Sequence, residues 1–339
     1  MIEVEKLTKR YGPVTAIRDV SFSVAPGDIV GFLGPNGAGK STTMRILACF
    51  MPASSGSARV AGYDVFKESL EVRKRIGYLP ENVPLYADMR VGAYLDFVAE
   101  VKGIGRSERK RRVAEAMDRC LVADMQNRLI GKLSKGYRQR VGLAQAIVSD
   151  PHVLILDEPT IGLDPQQISE IRALIKSLAG DHTVILSTHI LPEVSMVCSG
   201  VMIINKGAIV AQGPIDTLVE QFFPTARVHV QIAGPYAAVL DGLRGMTGVL
   251  DVHDAGPHDG AATFVVESDR ARDVRGEIFQ LAAQQKWELR ELRRAGMTLE
   301  EVFIRIVAGE ETAGEEPTAT ATEAAAKIPD ETPAEETTE

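Results

Sequence analysis

The chain has 339 residues, 45% hydrophobic and 25% charged, an ordinary globular composition with room for one large domain and a smaller one, which excludes wholesale disorder. The formal net charge of -8 sits at the C-terminus: residues 310–339 hold ten of the 46 acidic residues and one of the 38 basic ones, so the remaining 36 and 37 leave the body near neutral. That balance provides no basic stripe for a phosphate backbone, so nucleic acid is not expected as a partner.

Cys49, Cys120 and Cys198 are scattered and lack CxxC spacing, which reads as reduced, packed thiols. No stretch approaches the roughly 18 uncharged apolar residues of a membrane helix, and the N-terminus lacks a basic region followed by an apolar run. If the protein works at a membrane, another polypeptide is expected to cross it.

Short β-type runs open the chain at Ile2–Val4 and Ser21–Val24, followed by the apolar run Ile29–Leu33, which ends in a glycine-rich turn. A helix is predicted from about Lys40 to Phe50. Residues 67–150 are charged and helix-like, with apolar residues every three or four positions in Val91–Val101 and Val113–Leu121, and predict a helical insert. Val153–Leu156 reads as an apolar strand, Gln166–Leu178 as a helix, Thr183–Leu186 as a second apolar strand, and Gly200–Ile204 as a third after a further helix. Strands apolar on both faces, alternating with helices, predict an α/β fold with a parallel sheet covered on each side.

Beyond residue 222 the pattern restarts with strand-like Arg227–Ile232, helix-like Tyr236–Leu243, strands near Val249–Val252 and Thr263–Val266, helix-like Ala271–Gln285 and strand-like Trp287–Leu292. This βαββαβ order is the split-βαβ or ferredoxin-like pattern, which a last helix, Thr298–Val307, is expected to close. From Gly309 the chain is rich in Glu, Thr, Ala and Pro with almost no large apolar residue; it is expected to be disordered, and its removal to leave folding nearly unchanged.

Gly34-Pro35-Asn36-Gly37-Ala38-Gly39-Lys40-Ser41-Thr42 fits G-x-x-x-x-G-K-[ST] and stands after a predicted strand and before a predicted helix, as a phosphate-binding loop must. Glycines let backbone N–H groups turn inward around phosphates, and the helix start adds its positive end. Lys40 supplies a point charge on the β- and γ-phosphates, and the Ser41 hydroxyl is the expected ligand of Mg²⁺. Downstream, Val153–Leu156 runs into Asp157 and Glu158 at a strand's end. With a phosphate loop upstream, Asp157 is expected to hold Mg²⁺ through its water shell, and Glu158 to polarise an attacking water. Adjacent side chains on a strand point oppositely, but a turn at its end lets both approach one site. A phosphate loop alone fits kinases, GTPases and many ATPases, each with Mg²⁺; the choice of ATP rests on the residues between the two motifs.

Leu133-Ser134-Lys135-Gly136-Tyr137, before Arg138-Gln139-Arg140 and a helix-like run, resembles the LSGGQ signature of ABC ATPases. Ser134 is a natural N-cap, and the Gly136 N–H lies at a helix start, so the segment forms a second anion-binding site. Pro159-Thr160-Ile161-Gly162-Leu163-Asp164-Pro165 and Ser187-Thr188-His189 follow in that family's order and spacing. The resemblance covers residues 1 to about 215. It implies a P-loop ABC-type cassette over residues 1–218, with an N-terminal β subdomain and a helical subdomain at about 85–150; a smaller accessory α+β domain at 222–308 and an acidic tail at 309–339 would follow.

By the same resemblance, Tyr11 stacks on adenine, Asp164 belongs to a dimer-contacting loop, and His189 senses the γ-phosphate. Glu81 stands where most of the family has a metal-contacting Gln, and Lys135 and Tyr137 replace a Gly and a Gln of the signature. These departures resemble a branch of exporters of drugs, polysaccharides or lipids, or of gliding-type and regulatory systems. One loop and one signature per chain imply a homodimer or a pair of cassettes, with Ser134, Lys135, Gly136 and Tyr137 acting in trans. A separate transmembrane permease and a place on the cytoplasmic face of the cell membrane complete the expectation. The alternative is a soluble ABC-type ATPase acting on the ribosome or on nucleic acid; such proteins usually carry two cassettes or a long coiled-coil insertion, which this sequence lacks.

Overall fold

The computed structural model describes residues 1–222, 225–258, 261–269, 272–295 and 298–313. Two long antiparallel strands, β1 (Ile2–Tyr11) and β2 (Val14–Val24), open the chain. Their register shifts several times, so charged stretches such as Glu5-Lys6 bulge outward while Ile2, Val4 and Leu7 stay buried. β3 (Ile29–Leu33) then leads through the glycine loop into α1 (Lys40–Leu47). β4 (Ser55–Val60) and β5 (Tyr63–Asp64) return to the first pair and give a sheet of order β2-β1-β4-β5.

After α2 (Ser69–Arg75), β6 (Ile76–Leu79) forms one edge of a second sheet. This corrects the expectation of one helical insert over residues 67–150, which β6 interrupts: four residues between a basic helix and a loop offer too short a run to show a two-residue period. Helices α3 (Val91–Val101), α4 (Arg106–Arg119) and α5 (Lys135–Ile147) follow, packed around Leu95, Val113, Met117 and Val141. Then come β7 (Val153–Asp157), α6 (Pro165–Ser177), β8 (Thr183–Thr188), α7 (Leu191–Val197), β9 (Gly200–Asn205), β10 (Ala208–Pro214) and α8 (Ile215–Phe222).

The second sheet has the order β10-β9-β3-β8-β7-β6, and every residue of β7 and β8 is buried, as strands covered on both faces require. Its neighbours pair in parallel except β10, which runs antiparallel to β9, so the sheet is mixed at one edge.

The C-terminal module contains β11 (Thr225–Ala233), α9 (Tyr236–Arg244), β12 (Val249–His258), β13 (Ala261–Asp269), α10 (Arg275–Gln285) and β14 (Glu288–Ala295). Its sheet, β12-β13-β11-β14, is antiparallel throughout and has the ferredoxin-like order. Phe264, Val230, Ile232 and Ile278 are fully buried at its centre.

α11 (Leu299–Ala313) departs from expectation. Instead of closing this module, its stripe Leu299, Val302 and Ile306 packs against Leu33, Val194, Val201, Ile203 and Leu218 of the large domain. Spacings of three and four residues put the three side chains on one face, and the apolar surface facing them belongs to β3, α7, β9 and α8. The helix also runs to Ala313, past Gly309 where the tail was expected to begin; the tail from residue 314 lies outside the described residues. A cut after Ala313 is therefore the sound test of the tail, since one at 310 removes a turn of α11.

Among the described residues, no helix is long and apolar enough to cross a membrane. Burial pushes the thiols up, Cys49 to about 11 and Cys120 and Cys198 to about 12. Thiolate is the reactive form, so at pH 8 the native protein is expected to react with a disulfide reagent far more slowly than the unfolded chain. Stopped-flow titration with and without denaturant measures this; three rapidly labelled thiols in the native protein would contradict it.

Candidate functional site

The loop between β3 and α1 can only be built with glycine at its critical positions. Gly39, with φ at 108°, stands at the N-cap of α1, and a Cβ there would lie 2.5 Å from Ile17 Cγ2. A Cβ on Gly34 would lie 2.4 Å from the Ile204 carbonyl oxygen. This tight path folds the buried Lys40 back over the loop, where Nζ donates to the carbonyl oxygens of Gly34 (2.7 Å) and Pro35 (3.2 Å). Nζ also lies 3.7 Å from Glu158 Oε1. Burial pulls the Lys40 ammonium below its ordinary value, opposed by the charges of Glu158 and Asp157.

At the end of β7, Asp157 is fully buried. Its Oδ1 accepts from the Ser41 hydroxyl (3.1 Å) and the Ser187 hydroxyl (2.5 Å), whereas the buried Oδ2 accepts no hydrogen bond from the described residues. An unsatisfied carboxylate oxygen beside a serine hydroxyl suits a hard divalent cation, so these donors fit Mg²⁺.

The next residue makes the turn. Glu158 adopts φ of 50°, a strained conformation for a residue with a side chain, and its N–H is held by the Ser187 carbonyl (3.1 Å) and hydroxyl (3.2 Å). The turn swings the Glu158 carboxylate to the same side as Lys40, where Oε2 lies 2.9 Å from His189 Nδ1. An ionised carboxylate only accepts, so Nδ1 carries the proton and Nε2 is left to face outward. Burial pushes the Glu158 carboxyl above the ordinary glutamate value, opposed by His189 and Lys40 and reinforced by Asp157.

Residues more than 150 positions apart thus meet in one cleft of about 500 Å³. Asn36, Gly37, Gly39, Lys40, Ser41 and Thr42 line it together with Glu81, Glu158 and His189, flanked by Ala16 and Ile161. Gly34, Pro35, Ala38 and Asp157 lie outside the lining, and Asp157 acts on the cleft through Ser41.

Tyr11 is not in the cleft wall; it stands exposed at the end of β1, its hydroxyl 3.0 Å from Met51 Sδ and its ring under the Lys9 ammonium. Ser134, Lys135, Gly136, Tyr137 and Asp164 are also outside it. Ser134 caps α5 by accepting from the Tyr137 N–H (3.3 Å), and Asp164 caps α6 by accepting from the Gln167 N–H (2.9 Å). The Lys135 side chain lies across Gly162, joining the two loops. Reasoning from sequence passed over Ser187, which ties Asp157 to Glu158; its place beside Thr188-His189 was the available signal.

Residues 17–161 match the family described as ABC transporter. The linearmycin resistance ATP-binding protein LnrL of Bacillus subtilis (strain 168) is 32% identical over 253 residues, 74% of this chain and 81% of that protein. The bacitracin transport ATP-binding protein BcrA of Bacillus licheniformis is 32% identical over 311 residues, 91% of this chain and 98% of that protein. A solved ATP-binding subunit of an ABC transporter is 29% identical and superimposes with a TM-score of 0.61 over 66% of this chain and 93% of its own.

Proposed function

The chain belongs to the ATP-binding proteins of ABC transporters, and on that premise we propose how its residues divide the work of binding ATP, hydrolysing it and transmitting the result. The observation that carries the assignment is the Glu158 carboxylate, buried between the Lys40 ammonium and the His189 imidazole at the wall of a phosphate-loop cleft.

The loop N–H groups and Lys40 bind the β- and γ-phosphates, with Lys40 leaving the Gly34 and Pro35 carbonyls for the stronger anionic partner. Glu158 takes the proton of the attacking water, and its raised pKa suits a base that must hold that proton transiently. His189 positions Glu158 through its Nδ1–H and lines the cleft toward the γ-phosphate, to which Nε2 would donate only when it too carries a proton. Ser41, and Asp157 through the ion's water shell, would hold Mg²⁺, with Glu81 also lining the cleft, and the ion would offset charge on the phosphates. Tyr11 supplies a stacking surface for the adenine.

Ser134 and Gly136 do not line the cleft of their own chain. A second copy, or a paired cassette, brings them over the γ-phosphate, with Lys135 and Tyr137 beside them and the Asp164 loops meeting at the seam.

Closure of that sandwich drives a separate permease at the cytoplasmic face of the cell membrane. The permease surface is that around Glu81–Tyr86, and a groove lined by Phe50, Leu70, Tyr78, Val98 and Val101 offers it further apolar area. Phe50, Leu70 and Val101 are each at least 70% exposed, an apolar patch that a partner would cover. Kinship with resistance and antibiotic-transport proteins favours export over uptake.

A photocrosslinker at Asn82, in the cells that naturally produce the chain, is expected to trap a multi-span membrane protein. Crosslinks confined to soluble proteins would count against the assignment.

A further inference from the structure

His189 reaches the catalytic carboxylate from a loop that gives it little direct support, since its side chain is 45% exposed. The residues on either side of it are held by one buried group. Thr188 is fully buried at the end of β8, and its hydroxyl accepts from the Ile190 N–H (3.0 Å), which spans His189. The same hydroxyl donates to Glu193 Oε2 (3.0 Å) on α7. Glu193 is 1% exposed, and its Oε1 lies 3.5 Å from Arg172 Nη2 on α6.

A carboxylate in the first turn of α7 would favour the helix equally well from the surface. Burying one costs free energy unless it is paired, so a preference for helix starts does not explain its position. What the buried position does provide is an acceptor that fixes the rotor of the Thr188 hydroxyl, and with it the backbone on both sides of His189.

We propose that Glu193 is a positioning residue for ATP hydrolysis: through Thr188 it fixes the loop carrying His189, and through Arg172 it ties that loop to α6, the helix that begins at Asp164. The proposal rests on the reading of Glu158 and His189 given above. It requires that loss of the Glu193 acceptor lower the rate of cleavage while leaving ATP binding intact, because no atom of Glu193 lines the cleft.

The test compares Glu193→Ala, Glu193→Gln and Thr188→Val in the full-length chain, each alone and combined with His189→Ala, by steady-state kcat and KM for ATP. Glu193→Ala and Thr188→Val are expected to lower kcat by about tenfold to a hundredfold with KM within about threefold, the scale of a small misplacement of a catalytic group. Glu193→Gln keeps an oxygen that accepts from Thr188 and is expected to stay within about threefold of wild type. In the His189→Ala background the same changes are expected to cost less than about twofold, since a residue acting through His189 has nothing left to position.

Equal losses in both backgrounds, a glutamine variant as poor as the alanine one, or a raised KM with unchanged kcat would overturn the role of Glu193. Should Glu193→Ala not fold, Thr188→Val preserves side-chain shape and carries the comparison with Glu193→Gln. Wild-type turnover by His189→Ala alone would instead remove the underlying reading of the site, a separate outcome that takes this proposal with it.

Discussion

Lys40→Ala is expected to lower ATP turnover by about a hundredfold to a thousandfold, the range found when a preorganised donor to a developing anion is removed. The ammonium is buried among the Gly34 and Pro35 carbonyls and Glu158, where charge interactions act through a medium less screening than water. Alanine leaves the glycine path of the loop unchanged, because that path is set by backbone contacts of Gly34 and Gly39 with Ile204, Ile17 and Ala16. The fold is therefore expected to survive, with helix content and melting temperature near wild type and weaker binding of a fluorescent ATP analogue. A pure, folded Lys40→Ala that hydrolyses ATP near the wild-type rate would remove the nucleotide assignment for this cleft. A second consequence follows from the ion pair: without Lys40, one of the two groups that hold the pKa of Glu158 down is gone, and burial raises it further. Any residual turnover should therefore lose its acid limb at a higher pH than the wild type.

The parts of this site that sequence made legible are those where one residue type has one physical reason to be there. Gly39 needs a positive φ, Lys40 needs an anion, and the apolar strand of β7 needs a reason to end in Asp157 and Glu158. Strands buried on both faces, such as β7 and β8, announce themselves as unbroken apolar runs. β1 and β2 were visible only at Ile2–Val4 and Ser21–Val24, because bulges shift the inward face and break the two-residue alternation between them. β5 and β10 lie at sheet edges, where a polar side chain costs little, and β4 buries only Ala58 and Val60 in a run of Ser, Gly and Arg. The ferredoxin-like module was legible because Val228, Val230 and Ile232 alternate cleanly against Phe264 and Val266. The direction in which α11 turns was not, since an apolar stripe states that a helix is covered but not by what. Within the site, the same limit applies to Lys40 and His189: sequence supplies both residues, and only the turn at Glu158 places one carboxylate between them.

Glu158→Gln is expected to lower kcat by about a hundredfold to ten-thousandfold, the contribution of a positioned general base, while sparing ATP binding. The amide keeps the shape of the side chain and an oxygen for His189 Nδ1, so the wall of the cleft stays in place, but it cannot take a proton from water. The sign of the pH effect follows from the same residue. Burial raises the carboxyl, and a base works only when ionised, so wild-type turnover should fall as pH is lowered through a value above that of an ordinary glutamate. That limb should be absent from the small residual activity of the glutamine variant. Uncleaved ATP then continues to bridge the phosphate loop of one chain and the Ser134 segment of the other. A ligand that binds the closed pair better than the single chain shifts the equilibrium toward pairs by its differential affinity. Size-exclusion chromatography of Glu158→Gln with Mg-ATP should show a dimer, and the nucleotide-free protein should elute later, as a monomer. Turnover at the wild-type rate would exclude Glu158 as the base. Tight ATP binding by a chain that stays monomeric would place the completing Ser134 segment on a different cassette, since the capped start of α5 lies outside the cleft of its own chain.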